Sequence, residues 1–301
     1  MKKILVKIWT IYFSFIFFIF FYFFSVYKNF FGIFGILPSF ESLENPKDNL
    51  SSEVYSSDGI LLGRYYRYNR SVLSFEEIPK NFIDALISTE DTRFRKHYGL
   101  DIIGIFRAAI LSVILRQKKG GGSTITQQLA KNLFNLRSNQ KKSFLEKIPI
   151  IKILITKTKE WIVAIELERS YTKDEILKMY INTSCFGNNS YGLKIASNNF
   201  FSKKAIDLSI EESALLVGIL KAPTYYSPIK NKKRSLDRRN LVLKNMLKNN
   251  LISKDIYENS IKQAINLNLK KDDHTSGIAT YFRSFLKNYL VDWCKENGYN
   301  L

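Results

Sequence analysis

The most unusual pattern of apolar positions lies at the start of the chain. Residues 8–26 carry no charged side chain and consist largely of Phe and Ile. About 20 apolar residues in a helix span the ~30 Å hydrocarbon core of a bilayer, and this run of nineteen comes close to that length. Phe occupies every face of the helix, unlike a soluble core helix with one buried side. We therefore predict a transmembrane helix.

The flanks of this helix predict its orientation. Lys2, Lys3 and Lys7 precede it, and the positive-inside rule then places the amino terminus in the cytoplasm and the remaining chain outside. A cleaved signal peptide is the alternative, but no small-residue cleavage pattern follows, and the first alanine is Ala85. A retained signal-anchor is favoured. We assign residues 1–7 to a cytoplasmic tail, 8–26 to the anchor and 27–50 to a stalk.

Beyond residue 51 the apolar spacing is mostly helical. One exception is Asp58-Gly59, which stands between two β-prone runs and predicts a β-hairpin. Phe82, Ala85 and Leu86 then follow Pro79 at the spacing of one helix face.

Capping signals mark later helices. Two S/T-x-x-E boxes predict helix starts, Thr172 with Glu175 and Ser209 with Glu212. Neither an internal repeat nor a βαβ alternation is visible, so a doubly wound sheet is not expected. The chain is predicted to be mainly α, with a folded domain over residues 51–250 and a helical or linker segment over 251–301.

Composition narrows the class of protein. The chain is 46% hydrophobic and 24% charged, which excludes global disorder, collagen-like repeats and a polytopic membrane fold. Its net charge of +19 favours anionic partners, although a Lys-rich bias in composition is the plainer explanation. Cys185, Cys294, His97 and His274 show no spacing typical of a metal site.

Three segments contain candidate chemistry. In the first, STEDTRFRKHYG, Glu90 follows an apolar helix, where partial desolvation suits a carboxylate that takes a proton. A solvated, charge-paired helix end is the alternative. In the second, KKGGGSTITQQLAKNLF, a Gly-rich loop leads into a helix that begins near Ser123 and Thr124. Such a helix start favours anions, and a flexible linker before an ordinary amphipathic helix is the alternative.

The third segment, KTKEWIVAIELERSY, places a carboxylate on an apolar helix face. Glu160 shares that face with Leu167, which is costly unless the charge is paired. Lys157 lies one turn back and is the expected partner. A purely structural ion pair is the alternative. Glu166 and Glu168 fit a solvated face, and we assign them no role.

Five segments in this order resemble the family-51 peptidoglycan glycosyltransferases, the glycosyl-transfer domain of class A penicillin-binding proteins and their monofunctional relatives. EDTRFRKHYG matches the motif EDxxFxxHxG, and GGSTITQQLAKN matches the second motif nearly letter for letter. KTKEWIVAIELE matches KxxExxxAxxLE, YINTSCFG with YGLKIA matches the fourth, and RRNLVLKNM matches the last. The resemblance runs from about residue 51 to about residue 247.

The resemblance implies a lysozyme-like, mainly helical fold with a small hydrophobic jaw that dips into the membrane. It implies that lipid II is polymerised into β-1,4-linked glycan strands with release of undecaprenyl pyrophosphate. Glu90 then matches the general base and Asp91 its support. Glu160 matches the glutamate that helps the pyrophosphate to depart, directly or through a divalent cation.

The same resemblance supplies the binding positions. Second-motif residues that hold the substrate match Ser123, Thr124, Gln128, Lys131 and Asn132. Supporting positions in the other motifs match Phe94, His97, Lys157 and Asn182. A divalent cation, Mg²⁺ or Mn²⁺, is allowed with the pyrophosphate, its ligands are unknown, and no organic cofactor is implied.

The implied setting is the bacterial inner membrane. We expect a single-pass protein with its amino terminus inside and its catalytic domain on the outer face. The expected partners are lipid II, the growing glycan strand and the lipid bilayer, with other cell-wall synthesis proteins as further candidates. Nucleic acid is excluded as a partner because the domain faces outward.

Some letters depart from the family pattern. Thr156 stands where an Arg is common, and Phe200 and Ser202 replace the usual Tyr and Gly. Ser284 to Lys287 fits Ser-x-x-Lys by letters alone, since no Lys-Thr-Gly follows it. We therefore expect no transpeptidase domain, whether the chain is a truncated bifunctional enzyme or a monofunctional one.

Two other functions remain as alternatives. A lysozyme-like hydrolase or lytic transglycosylase would cut the same polymer, but it has no use for the QQLAKN segment. A catalytically inactive scaffold, left from a truncated class A penicillin-binding protein, is the second. Retention of Glu90, Lys131 and Glu160 argues against it.

Overall fold

The computed structural model describes residues 2–38, 52–65, 69–70, 72–110, 121–134, 148–270 and 279–299. Helices hold most of these residues, so the prediction of a mainly α fold is confirmed. In chain order the elements are α1 (Lys2–Lys28), β1 (Ser52–Tyr55), β2 (Leu61–Tyr65), β3 (Asn69–Arg70), α2 (Lys80–Glu90), α3 (Ile102–Ala109), α4 (Ile125–Phe134), α5 (Pro149–Ser170), α6 (Lys173–Thr183), β4 (Ser190–Tyr191), α7 (Leu193–Phe201), α8 (Ile210–Leu220), α9 (Lys232–Lys248), α10 (Lys254–Lys262) and α11 (Thr280–Glu296).

The chain forms two compact units. The first consists of residues 1–47 and 93–180, and the second of residues 48–92 and 181–301. The first unit therefore holds α1, α3, α4, α5 and most of α6. The remaining elements belong to the second unit.

Helix α1 confirms the apolar helix that the sequence predicts. Its 27 residues include an 18-residue window with a hydropathy of 2.2, and none of that window is buried. It is long and apolar enough to cross a membrane. The segment after it does not extend away as a stalk would: Phe34 folds back and is buried with Val26 and Ile155. Residues 39–50 of the predicted stalk lie outside the described residues.

The core of the first unit lies between α4 and α5. Ile125 and Leu129 of α4 and Ala164 and Leu167 of α5 are all fully buried. This confirms the apolar face predicted for α4. Gly99 brings the loop before α3 against this layer, because a Cβ there would lie 2.8 Å from the Ala164 carbonyl oxygen.

Helix α3 presents apolar side chains outward. Ile102, Ile103 and Phe106 are each more than 60% exposed, although the helix is capped by Asp101, whose carboxylate accepts from the Gly104 N–H. Side chains of this kind on one short helix are unfavourable in water. The membrane-dipping jaw that the family resemblance implies stays a prediction.

The second unit is built around α2, α8 and α9. Buried residues from each helix meet there: Phe82, Ala85 and Leu86 from α2, Leu216 and Val217 from α8, and Val242, Leu243 and Met246 from α9. Both predicted capping boxes form. Ser209 and Glu212 cap α8 reciprocally, and in the first unit Thr172 and Glu175 do the same at α6.

The strands are few and short in the described residues. β1 and β2 pair antiparallel across the Asp58-Gly59 turn, with Ser52 opposite Tyr65, so the predicted hairpin is confirmed. β3 also pairs in parallel with β4, Asn69 opposite Ser190, which the sequence did not predict. Two residues per strand are too few to produce a recognisable alternation.

We predict that Gly99→Ala destabilises the first unit. Gly99 has φ +81°, and the added Cβ would meet the Ala164 carbonyl, so we expect the free energy of unfolding to fall by about 2 kcal/mol. Gly121→Ala is the matched control, since a Cβ added there would meet no atom of the described residues within 4 Å. Denaturant unfolding in detergent measures both. Equal midpoints for the two variants would contradict the prediction.

Candidate active site

Glu90 is the last residue of α2. The apolar face of α2 is buried, and the helix stops because Asp91 turns to φ −158° while its N–H still donates to the Ile87 carbonyl. The Glu90 side chain is 15% exposed, and Asp91 is 6% exposed. The two carboxylates of the first motif are thus mostly withdrawn from water, rather than at a solvated helix end.

Glu90 has a cationic neighbour that the sequence reading missed. Nη2 of Arg238 lies 3.6 Å from Oε1 of Glu90, and the Arg238 side chain is 9% exposed. Its guanidinium also lies over the Tyr226 ring, 5.7 Å from the centroid. The signal was present, since Arg238 opens the RRNLVLKNM motif on α9. An Arg in an amphipathic basic helix gives no indication from sequence that it is buried.

The side-chain amide of Asn182 forms hydrogen bonds with the backbone of the second unit. Its Oδ1 accepts from the Leu73 N–H at 2.9 Å, and its Nδ2 donates to the Leu73 carbonyl at 3.0 Å. The residue is 7% exposed. Asn182 therefore fastens the segment before α2, and its predicted contribution to substrate binding would come through that segment.

In the first unit, Glu160 lies on α5 with 1% of its surface exposed. The Lys157 ammonium donates to its Oε2 at 2.5 Å and to the Ser123 hydroxyl at 3.2 Å. This confirms the predicted pairing of Lys157 with Glu160. Lys157 itself remains 35% exposed. We call Ser123, Lys157 and Glu160 the Lys157 cluster: a buried carboxylate holds the ammonium of a partly exposed lysine.

Thr124 begins α4 from a buried position. Its hydroxyl donates to the Gly99 carbonyl at 2.7 Å and accepts from the Gln127 N–H at 3.2 Å. It therefore caps the helix and ties it to the end of the first motif. The backbone start of α4 is held beside Ser123, where a helix amino terminus favours an anion.

The remaining second-motif residues follow along α4. Gln128 accepts from the Tyr180 hydroxyl at 2.9 Å. Lys131 is half-buried and Asn132 is exposed. The structure thus brings Ser123, Thr124, Gln128, Lys131 and Asn132 onto one short helix and the turn before it.

A buried network organises the first-motif loop. Phe94 is fully buried, and the Lys173 ammonium lies 4.4 Å from its ring centroid and donates to the His97 carbonyl at 2.6 Å. Lys173 also pairs with Glu168, whose side chain is only 3% exposed. Glu168 accepts from the Thr126 hydroxyl at 2.6 Å.

The prediction of a solvated Glu168 was therefore wrong. Helical spacing placed Glu168 away from Glu160, but α4 and the start of α6 cover that side of α5. Glu166 fits the expectation better, since its side chain is 26% exposed and lies 3.7 Å from Arg169.

Arg93 clamps the other end of the same loop. Its guanidinium donates to both carboxylate oxygens of Asp101, at 2.7 and 2.8 Å. Burial raises the pKa of Asp101, but the hydrogen bonds from Arg93 and from the Gly104 N–H outweigh it and hold that pKa below its ordinary value. The clamp is therefore complete at neutral pH and is lost as the pH falls through the lowered pKa.

The described part of the chain contains no group of three or more His, Cys, Asp and Glu side chains that could hold a metal ion. Mg²⁺ commonly binds through one or two carboxylates together with substrate phosphates. The Glu160 carboxylate and the Ser123 hydroxyl fit that arrangement only when a pyrophosphate completes it. Lys157 already supplies one positive charge at this position.

Comparison with known proteins is consistent with these motifs and places the chain in a family. A family model described as transglycosylase matches residues 58–247. Penicillin-binding protein 1A of Pseudomonas aeruginosa is 38% identical over 229 residues, which is 76% of this chain and 26% of that protein. Penicillin-binding protein 1A of Aquifex aeolicus is 35% identical over 268 residues, 87% of this chain and 35% of that protein.

Two further matches were found. Penicillin-binding protein 1F of Bacillus subtilis is 38% identical over 237 residues, 79% of this chain and 31% of that protein. The crystal structure of penicillin-binding protein 1A from Haemophilus influenzae overlaps 82% of this chain and 25% of that chain, with a TM-score of 0.45 and 22% identity.

The mainly helical fold and the ordered motifs define a domain of the transglycosylase class. The chain belongs to the transglycosylase family, the family-51 peptidoglycan glycosyltransferases. It spans 26% to 35% of the length of the curated relatives described above.

We predict that Lys157→Met lowers the free energy of unfolding by about 2 kcal/mol, because it removes the ammonium from a buried carboxylate. Adding Glu160→Gln should recover most of that loss, since no buried charge then remains to be compensated. Lys254→Met, which breaks the exposed pair with Glu258, is the control and should leave unfolding unchanged. A double variant less stable than Lys157→Met alone would disagree with this account of the pair.

Proposed function

We propose that this protein is a peptidoglycan glycosyltransferase. Its substrate is lipid II, its product is a β-1,4-linked glycan strand, and its leaving group is undecaprenyl pyrophosphate. Membership of the transglycosylase family supports the reaction class. The Lys157 cluster carries the rest of the proposal, because the ammonium of a partly exposed lysine beside a helix start suits a pyrophosphate.

The bond-forming step is assigned to Glu90. Its carboxylate accepts the proton of the 4-hydroxyl of the acceptor sugar, and that oxygen attacks the anomeric carbon of the growing strand. The bond from that carbon to the pyrophosphate oxygen breaks, and the anomeric centre inverts. Glu90 suits this role because it is withdrawn from water yet still reachable. Asp91 and Arg238 support it from the same unit.

The bond-breaking step is assigned to the Lys157 cluster. Negative charge grows on the pyrophosphate as the bond breaks, so preorganised donors lower the barrier. The ammonium of Lys157, the hydroxyl of Ser123 and the start of α4 are such donors. Glu160 is itself an anion and would repel a pyrophosphate directly. It acts by holding the Lys157 ammonium in place, and a divalent cation supplies further positive charge if one binds.

The membrane completes the proposal. Helix α1 anchors the chain in the bilayer that contains its lipid substrate, with the amino terminus inside and the catalytic residues on the outer face. The apolar surface of α3 adds contact with lipid. The net charge of +19 attracts the domain to an anionic membrane surface. Other cell-wall synthesis proteins are proposed partners, and nucleic acid is not.

We predict that Glu90→Gln lowers the rate of lipid II polymerisation by about a hundred-fold or more, since a general base contributes that much. Asp84→Asn on the same helix, where Asp84 pairs with the exposed Lys80, is the control and should keep the full rate. Strand formation is followed on gels with detergent-solubilised protein and Mg²⁺. A fully active Glu90→Gln variant would refute the assignment of the base. If the wild type also makes no polymer, the inactive scaffold replaces the enzyme.

We predict that Arg238→Met lowers the same rate by about ten-fold, because a charge-assisted contact to the base is lost. Arg238→Lys should recover part of the rate. Arg234→Met removes an Arg one turn earlier on α9, where the guanidinium lies over the exposed ring of Tyr225, and should be neutral. The role of Arg238 fails if Arg238→Met and Arg234→Met have equal rates.

A further inference from the structure

A hydrogen bond joins the anchor helix α1 to α5, the helix that carries Lys157 and Glu160. The Tyr22 hydroxyl of α1 lies 3.1 Å from the Thr158 hydroxyl of α5. Thr158 donates to the Leu154 carbonyl at 3.0 Å, so Tyr22 is the donor of the bond between the helices. A hydroxyl within the membrane needs such a partner, because an unsatisfied polar group in hydrocarbon is costly.

Ring stacking and a small core extend this contact. The Phe23 ring of α1 stacks on the Trp161 ring of α5, with centroids 6.1 Å apart and planes 14° from parallel. One turn away, Val26 and Ile155 are buried together at 0% and 1% exposure. These contacts bury both apolar and polar groups, which a helix acting only as a tether has no need to do.

The contacts coincide with the catalytic turn of α5. Thr158 and Trp161 directly follow Lys157 and Glu160 in the chain. All four residues lie within about 6 Å along the helix axis, since an α-helix rises 1.5 Å per residue. A shift of α5 against α1 would therefore move Lys157 and Glu160 by the same amount.

The position of the anchor helix also indicates how deep its contacts with α5 lie in the bilayer. No charged side chain lies between Lys7 and Lys28, so a bilayer spanned by α1 would have one boundary of its hydrocarbon layer near Lys28. Tyr22 is six residues, or about 9 Å, inside that boundary, and Val26 is about 3 Å inside it. The α5 residues that touch them lie at the same levels.

We propose that Tyr22 and Phe23 of the anchor are positioning residues for the glycosyltransferase reaction. By holding Thr158 and Trp161, they fix the position and orientation of Lys157 and Glu160 relative to the membrane anchor. The effect on rate rests on the proposed function, whereas the depth of α5 does not.

The rate test uses the full chain in liposomes. Tyr22→Phe should lower kcat by about five-fold, the effect of one hydrogen bond, with KM and the amount of bound protein unchanged. Thr158→Val should do the same, and the double variant should be no slower than either. Thr158→Ser restores the hydroxyl and should restore the rate. Tyr12→Phe is the matched control, since the described ring contacts of Tyr12 are edge-to-face ones with Trp9 and Phe13 of its own helix.

The depth test needs no turnover. The chain has three tryptophans, so Trp9→Phe with Trp293→Phe leaves Trp161 as the only one. Phospholipids brominated near the top of the acyl chain should quench Trp161 fluorescence more than those brominated near its end. Aqueous iodide should quench it little. Phe23→Ala should shift this profile towards the aqueous quencher.

The outcomes separate the two proposals. Quenching by iodide alone overturns the inference, as does a wild-type rate for both Tyr22→Phe and Thr158→Val. Lower membrane binding with an unchanged rate per bound chain also overturns it, because the anchor is then only a tether. An inactive wild-type chain with shallow bromolipid quenching of Trp161 refutes the proposed function and retains the docking of α5 at that depth.

Discussion

A carboxylate buried on an apolar helix must be neutralised, and the arrangement of the first unit follows from that constraint. Glu160 is almost fully buried on α5, so a cation has to lie one turn away, and Lys157 is that cation. The ammonium that Glu160 fixes also donates to the Ser123 hydroxyl, and the Lys157 side chain remains 35% exposed. An ion pair that a structural biologist would first assign to stability thereby presents an oriented positive charge.

Neighbouring contacts keep that charge beside the start of α4. Thr124 ties the helix to the Gly99 carbonyl, and Glu168 with Lys173 ties α4 and α5 to the first-motif loop. These groups use their hydrogen bonds on the backbone and on one another. Their contribution is rigidity, which electrostatic catalysis requires because donors must be oriented before charge develops.

The structural features that the sequence predicted correctly are local ones. The buried face of α2, the apolar stripe of α4, both capping boxes and the Asp58-Gly59 hairpin each depend on residues close in the chain. Pairing of Lys157 with Glu160 was also predictable, because one helical turn separates them. Burial of Glu168 and Arg238 was not, since it depends on helices distant in sequence. The pairing of β3 with β4 was not predictable either, because each strand contributes only two residues. Phe34 lies in a segment that the sequence predicted to be a stalk, so its packing on α5 was also missed.

The contact of α1 with α5 has a consequence for how such a protein is handled. A soluble version produced without residues 1–28 would remove Val26, Tyr22 and Phe23 from Ile155, Thr158 and Trp161, and Thr158 would lose the donor that it now has in Tyr22. Compounds screened against that shortened version would meet a surface that does not exist in the anchored protein. Hits that bind there would be artefacts of truncation, and compounds that need the intact contact would be missed.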